Sequence, residues 1–397
     1  MSRTIVAMCL CSAFAIGTVG GQEPSDFGVC STVPPAGTTL HETKVARKGD
    51  LLLLPVTIGG RDLKFVLDTG AAANALDSSV AEKVGPLKRS AKSNPEGFPD
   101  MFEMPPATIM GAKLPLVGDV ACIDLSVIRV ASGHDVAGIV GMPFLKQHLI
   151  QVDFDLGRVR FLKSMPDAKA GGMNLTRDEF DRPILDVELI AGKKLPMIVD
   201  TGMAVPGIGE VDRATFRQLL DDGRVQVKGP LGRAVSVSGE LTGRKGKLDR
   251  FKIANFEHQD LGIREGTLNA VGLNYLSRYL VTFDFPNNRI HLEKGKRFDE
   301  PTSFDMSGMT LVRINGATRV EMVHPNGPAF ELGVRAGDKI VRVSDKESDE
   351  YSLLQLRRLL AKNGQRVRLV VQRGNEIQGC ELMLKDWQPV IQKRDEK

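Results

Sequence analysis

Phe65-Val66-Leu67-Asp68-Thr69-Gly70-Ala71 decides the fold, together with its echo Met197-Ile198-Val199-Asp200-Thr201-Gly202-Met203. Each stretch is three apolar residues running into Asp-Thr-Gly, the pattern of a buried strand that delivers a carboxylate to the mouth of a tight turn. In such a turn the Thr hydroxyl bonds to neighbouring backbone, and the Gly lets a second segment of chain come close. One such tripeptide is a weak signal. Two copies 132 residues apart, each behind the same kind of strand, are a strong one.

The echo extends in both directions. At an offset of 132, residues 56–68 overlay residues 188–200: the turn Ile58-Gly59-Gly60-Arg61 meets Ile190-Ala191-Gly192-Lys193, and Leu63 meets Leu195. At an offset of 131, Val140-Gly141, Leu145, Leu149, Asp153-Phe154 and Arg158 fall on Val271-Gly272, Leu276, Leu280, Asp284-Phe285 and Arg289. These are seven identities in the 26 positions 137–162. Asp68 precedes Gly141 by 73 residues and Asp200 precedes Gly272 by 72. A repeat of this length predicts two copies of one small β domain, not a solenoid of short units. Two copies related by a pseudo-twofold axis bring equivalent loops together at the axis, so Asp68 is expected to face Asp200.

On these residues the chain resembles the aspartic proteases of the pepsin and retropepsin type, over roughly residues 46–296. The resemblance rests on the hydrophobic run into Asp-Thr-Gly in each half, followed by Ile139-Val140-Gly141 and Ala270-Val271-Gly272. The short halves and Ala71 look more like a tandem retropepsin than like pepsin. The resemblance implies a mainly β fold of two pseudo-twofold-related β-barrel lobes, residues 46–165 and 173–296, joined by a hinge at residues 163–172. It implies Asp68 and Asp200 as a catalytic dyad, with Thr69, Gly70, Thr201 and Gly202 holding the geometry. Residues 88–106 and 229–246 take the places of substrate-covering flaps.

Two carboxylates forced within hydrogen-bonding distance cannot both ionise cheaply, so they share a proton and titrate as a unit. The ionised member takes a proton from a water between them while the protonated member donates to the scissile carbonyl. This chemistry needs no metal, cofactor or covalent intermediate. Ala71 removes a hydroxyl that would stabilise the ionised carboxylate, which predicts a pH optimum nearer neutrality than pepsin's. Met203 stands where the family has Ser, Thr or Ala, and Asn269-Ala270-Val271-Gly272 matches loosely. These departures keep open a non-catalytic scaffold of the same fold.

Beyond about residue 307 the pattern changes. Residues 320–323 form an apolar run, followed by His324-Pro325-Asn326-Gly327-Pro328-Ala329, Leu332-Gly333-Val334 and Ala336-Gly337-Asp338-Lys339-Ile340-Val341. This order resembles an α+β PDZ domain over residues 307–388, with residues 352–362 as its second helix. The resemblance places peptide binding at Gly308, Met309, Thr310 and Leu311. The partners expected are an extended polypeptide substrate in the cleft and a peptide C-terminus or strand at the PDZ domain. The PDZ domain raises the local concentration of what it captures, or alternatively docks the enzyme onto an assembly.

Length and composition bound the rest. A chain of 397 residues accommodates two or three domains with ample core. A net charge of +4 without a block of like charge implies neither nucleic acid nor an anionic surface. Met1-Ser2-Arg3 followed by an apolar or small run to Gly20-Gly21 reads as a signal peptide over residues 1–21. It predicts export, periplasmic or extracellular, with no membrane span after cleavage. Residues 22–45 read as a linker. Of five cysteines, Cys30, Cys122 and Cys380 lie beyond the signal, either as three thiols or with Cys30 bridged to Cys122. Other protease chemistries lack their residues: there is no Gly-x-Ser-Gly-Gly loop, and His41-Glu42 is followed by Val45 where a second zinc-binding His would stand.

Overall fold

The computed structural model describes residues 14–15, 39–47, 49–91, 99–111, 114–165, 172–229, 232–236 and 239–387. It is mainly β, and two large sheets grow from the two echoed stretches. In the first, Leu53–Ile58 turns back at Gly59-Gly60 into Arg61–Leu67. Both turn glycines have positive φ, 55° and 75°, as the tightest hairpin turn requires. The register sets Leu54 opposite Phe65 and Val56 opposite Leu63, so one face of the hairpin enters the core.

Beside Arg61–Leu67 lies Gly138–Val140, parallel to it, then Asn74–Asp77 and Asp119–Ile123. The second sheet repeats this order. The hairpin Pro183–Ile190 and Lys193–Asp200 is followed by the parallel Ala270–Gly272, then Gly209–Asp212 and Leu261–Gly266. Strand directions agree at every step. Each half also has a helix behind an acidic cap. Asp77 accepts from Ser79 N–H at 3.1 Å before Ser78–Val84, and Asp212 accepts from Thr215 N–H at 2.7 Å before Arg213–Asp221.

A third sheet joins the halves. Leu149–Asp153 pairs antiparallel with Tyr279–Asp284, Gln151 facing Thr282, Leu149 facing Asp284 and Asp153 facing Leu280. Gln151 and Thr282 are 131 positions apart, the offset of the sequence echo, and Gln151 Nε2 donates to Thr282 Oγ1 at 3.1 Å. Each residue thus faces the counterpart of its own mirror position, which puts a local twofold axis through that pair. Thr39–Lys44, expected as the end of a linker, is instead a strand of this sheet. Its backbone pairs with Arg158–Leu162, and Glu42 takes Arg158 and Arg160 at 2.8 and 2.7 Å.

The flap candidates differ from each other. Met101–Glu103 lies in the first sheet against Asp119–Ile123, and residues 92–98 fall outside the described residues. Gly232–Ser236 and Gly239–Gly243 form a hairpin, to which Phe14–Ala15, from the expected signal peptide, adds a short third strand. The C-terminal unit is a sheet in the order Met309–Ile314, Ala317–Val323, Lys339–Val343, Arg366–Arg373, Glu376–Met383. Its helix Leu353–Leu359 starts at a capping box between Ser352 and Gln355. Cys122 and Cys380 are free thiols, and Cys30 lies outside the described residues. No described helix is long and apolar enough to cross a membrane.

Candidate active site

Each Asp-Thr-Gly turn emerges where its strand is clamped between a hairpin partner and a parallel neighbour. Asp68 N–H donates to Val140 O at 3.0 Å, and Asp200 lies beside Gly272 in the parallel ladder. The turns then cross. Thr69 Oγ1 donates to Val199 O and Thr201 Oγ1 to Leu67 O, at 2.5 and 2.8 Å. Each hydroxyl also accepts the other threonine's N–H at 3.0 Å. Asp68, Thr69, Asp200 and Thr201 are all buried. Breaking one of these bonds would therefore strand a polar group away from water, at about 1–3 kcal/mol.

The glycines set the spacing. A Cβ on Gly70 would lie 2.5 Å from Asp200 Cγ, and one on Gly202 would lie 2.4 Å from Asp68 Cγ. Neither glycine has a left-handed φ, so the requirement is for space and not for backbone conformation. Each carboxyl thus rests on the bare Cα of the opposite turn. Within its own turn Asp68 Oδ1 accepts from Gly70 N–H at 2.8 Å. Asp200 Oδ1 accepts from Gly202 N–H at 2.8 Å and Met203 N–H at 3.0 Å. Burial, and after it the charge of Asp68, push the Asp200 carboxyl well above the ordinary carboxylate range, against the pull of those two N–H groups.

Two later elements support the turns from below. Met142 N–H donates to Ala71 O at 2.9 Å and Leu273 N–H to Met203 O at 2.7 Å. Gly141 and Gly272 are the residues that allow this, since a Cβ would meet Ala73 O at 2.4 Å or Met203 O at 2.7 Å. Met203 packs its side chain with Ile198, Val205 and Ala270. Two asparagines were not anticipated. Asn74 Oδ1 takes Gly141 N–H at 3.0 Å, and Asn274 Oδ1 takes Gly207 N–H at 3.2 Å, each tying the loop after an Asp turn to the element beneath it. The one available signal for Asn74 was a polar residue inside the otherwise apolar run 71–76.

In the C-terminal unit, Gly308, Met309, Thr310 and Leu311 lie together at the start of the edge strand Met309–Ile314. Their loop is already engaged. Asp305 accepts from Ser307 N–H at 3.2 Å and Gly308 N–H at 2.7 Å, and Ser307 Oγ accepts from Met309 N–H at 3.1 Å. The helix Ser126–Ser132 of the first half packs against the same edge strand. Arg357 fastens it there, donating from Nη2 to Ala131 O at 2.7 Å and to Leu311 O at 3.1 Å. Burial pulls the Arg357 guanidinium down to about 10, with Asp50 and Glu321 opposing. Gly133 approaches Leu353 so closely that a Cβ would sit 3.1 Å from it. The groove between the edge strand and the helix Leu353–Leu359 is thus closed by the first half.

Residues 54–144, which contain Asp68 and Gly141, match the aspartyl protease family, and residues 319–373 match the PDZ domain family. The chain therefore carries an aspartyl protease domain followed by a PDZ domain. Comparison with curated proteins gave no match. Among solved structures, the photosystem II D1 C-terminal processing protease aligns at 24% identity and a TM-score of 0.21. The alignment covers 21% of this chain and 24% of that one, so the likeness spans less than a quarter of either.

Proposed function

We propose that the protein is an exported aspartic endopeptidase whose active unit is one chain. Two retropepsin-like halves, residues 46–165 and 173–296, arose by internal duplication, and Asp68 and Asp200 form the dyad. The pair holds a single proton. Its ionised member draws a proton from a water between the carboxyls, its protonated member donates to the scissile carbonyl, and the water attacks. The observation that carries this reading is the reciprocal lock of the two Asp-Thr-Gly turns, which packs each carboxyl onto the opposite glycine. The matching strand orders of the two sheets support the duplication. The apolar N-terminal run supports export.

An extended polypeptide is the substrate, and the PDZ domain, residues 307–388, captures a chain end or strand at Gly308–Leu311 once the helix Ser126–Ser132 leaves that edge. The experiment is cleavage of unfolded casein across pH, with pepstatin and with Asp68→Asn and Asp200→Asn. Turnover should fall by about 1,000-fold or more in each variant. A second reading, a non-catalytic scaffold of the same fold, is favoured by the complete burial of both carboxyls. Casein left uncut at every pH, or cut equally by the Asn variants, would establish that reading instead.

A further inference from the structure

A cavity of about 700 Å³ opens between the second half and the PDZ domain, away from the Asp turns. One wall is basic: Lys228, Lys245 and Lys247 line it from the strands Val225–Val227 and Lys245–Leu248 and the turn between the first of these and Gly229. Lys362 joins them from beyond the helix Leu353–Leu359. Among the described residues, none of these four lysines has a carboxylate within ion-pair distance. Asp305 and Asp386 also line the cavity. Asp305 is already spent on the N–H groups of Ser307 and Gly308 and the Ser307 hydroxyl, and Asp386 is exposed. The remaining wall is mixed, with Thr302, Ser303, Asn363 and Gln365 beside the apolar Phe304, Met306 and Trp387; Trp387 is buried, its ring tilted against that of His324 with centroids 5.8 Å apart.

We propose that this cavity is a binding site for the acidic end of a polypeptide, a terminus bearing two or more carboxylates. Four lysines against two aspartates leave an excess of positive charge in a concave, partly desolvated space, where like charges raise the local concentration of anions. The volume is that of a ligand several residues long and much exceeds that of a simple anion. Phe304, Met306 and Trp387 beside the lysines add apolar contact with side chains that a small polyanion lacks. Burial, the leading effect, also holds the Lys245 ammonium below its ordinary value, with Asp305 opposing, so an incoming carboxylate would relieve a poorly solvated charge. Neither the helix Ser126–Ser132 nor Gly308–Leu311 lines the cavity, although Trp387 adjoins Gly308 closely enough that a Cβ there would meet its ring at 3.2 Å.

Trp387 is the chain's one tryptophan, so intrinsic fluorescence reports on this cavity directly. The full chain is titrated with a hexapeptide ending in three acidic residues and a free carboxylate, with its C-terminal amide, with a neutral hexapeptide, and with citrate. The acidic free-acid peptide should give a saturable change that weakens several-fold when salt rises from about 0.05 to about 0.3 M. Its amide should bind less tightly, and the neutral peptide should leave the signal flat. Lys245→Met should weaken binding by about tenfold. Because Lys245 also faces Asp305, the double variant Lys228→Gln/Lys247→Gln gives an independent loss, with the urea midpoint checked in both cases. Absence of a saturable signal with the acidic peptide would overturn the proposal, as would binding unchanged in both variants. Citrate binding as tightly as the peptide would reassign the cavity to small anions and overturn the polypeptide assignment.

Discussion

Replacing Gly70 by alanine tests the cross-packed Asp turns most directly. The new Cβ would stand 2.5 Å from Asp200 Cγ, whereas carbon atoms in ordinary contact sit about 3.5–4.0 Å apart. The two turns must therefore separate by about 1 Å, because the obstructing atoms belong to a buried carboxyl held by Gly202 and Met203 N–H groups. Overpacking of this kind destabilises by about 1–3 kcal/mol. A displacement of about 1 Å at reacting groups lowers turnover by about 100-fold. Gly202→Ala should behave alike, its Cβ lying 2.4 Å from Asp68 Cγ. Gly379→Ala is the control: nothing lies within 4 Å of that position and its φ is not left-handed, so it should be nearly silent. The assays are casein turnover and the urea unfolding midpoint. Gly70→Ala with the wild-type midpoint and more than about a third of wild-type turnover would refute the geometry, since alanine would then fit where the carboxyl is said to rest.

Thr69→Val keeps the shape but removes the hydroxyl that serves Val199 O and Thr201 N–H. It should cost about 2–4 kcal/mol in urea unfolding, and a change under about 0.5 kcal/mol would argue against the lock. The raised Asp200 carboxyl predicts a pH dependence of known sign. Folding favours its protonated form, so its stabilising share is complete below about pH 4, the unfolded value, and is lost as pH rises through the folded one. The stability of wild type relative to Asp200→Asn should therefore decline from pH 4 upward, and a flat difference in paired urea titrations would contradict it. For the same reason the alkaline limb of casein turnover should lie above the ordinary carboxylate range, nearer neutrality than pepsin's. Arg357→Met removes both bonds that fasten the helix Ser126–Ser132 to the PDZ edge, so limited proteolysis between residues 295 and 307 should accelerate several-fold. Unchanged proteolysis would show that the docking does not depend on Arg357.

Much of the fold was legible before any coordinates. The Gly59-Gly60 hairpin, the helix within residues 352–362 and the strand running into each Asp turn are set by neighbours in sequence. Turn chemistry and period-2 alternation act within a few residues. The offset of 132 relates the residues at which the two sheets show the same strand order and the two Asp-Thr-Gly turns cross. A repeated unit carries its symmetry with it. The strand Thr39–Lys44 was missed because a polar, Thr-rich stretch looks like linker until Arg158 and Arg160 present guanidinium groups to Glu42.

What the sequence by itself determined is the local chemistry: two carboxylates, two threonines and two glycines, set in an echoed pattern 132 residues apart. Only the tertiary structure decided which backbone carbonyl each threonine reaches, how closely each glycine meets the opposite carboxyl, and that a helix of the first half closes the PDZ edge. It also gathered Lys228, Lys245 and Lys247 around Trp387. These contacts join surfaces more than a hundred residues apart, and such surfaces meet through shape and packing, which no local pattern encodes.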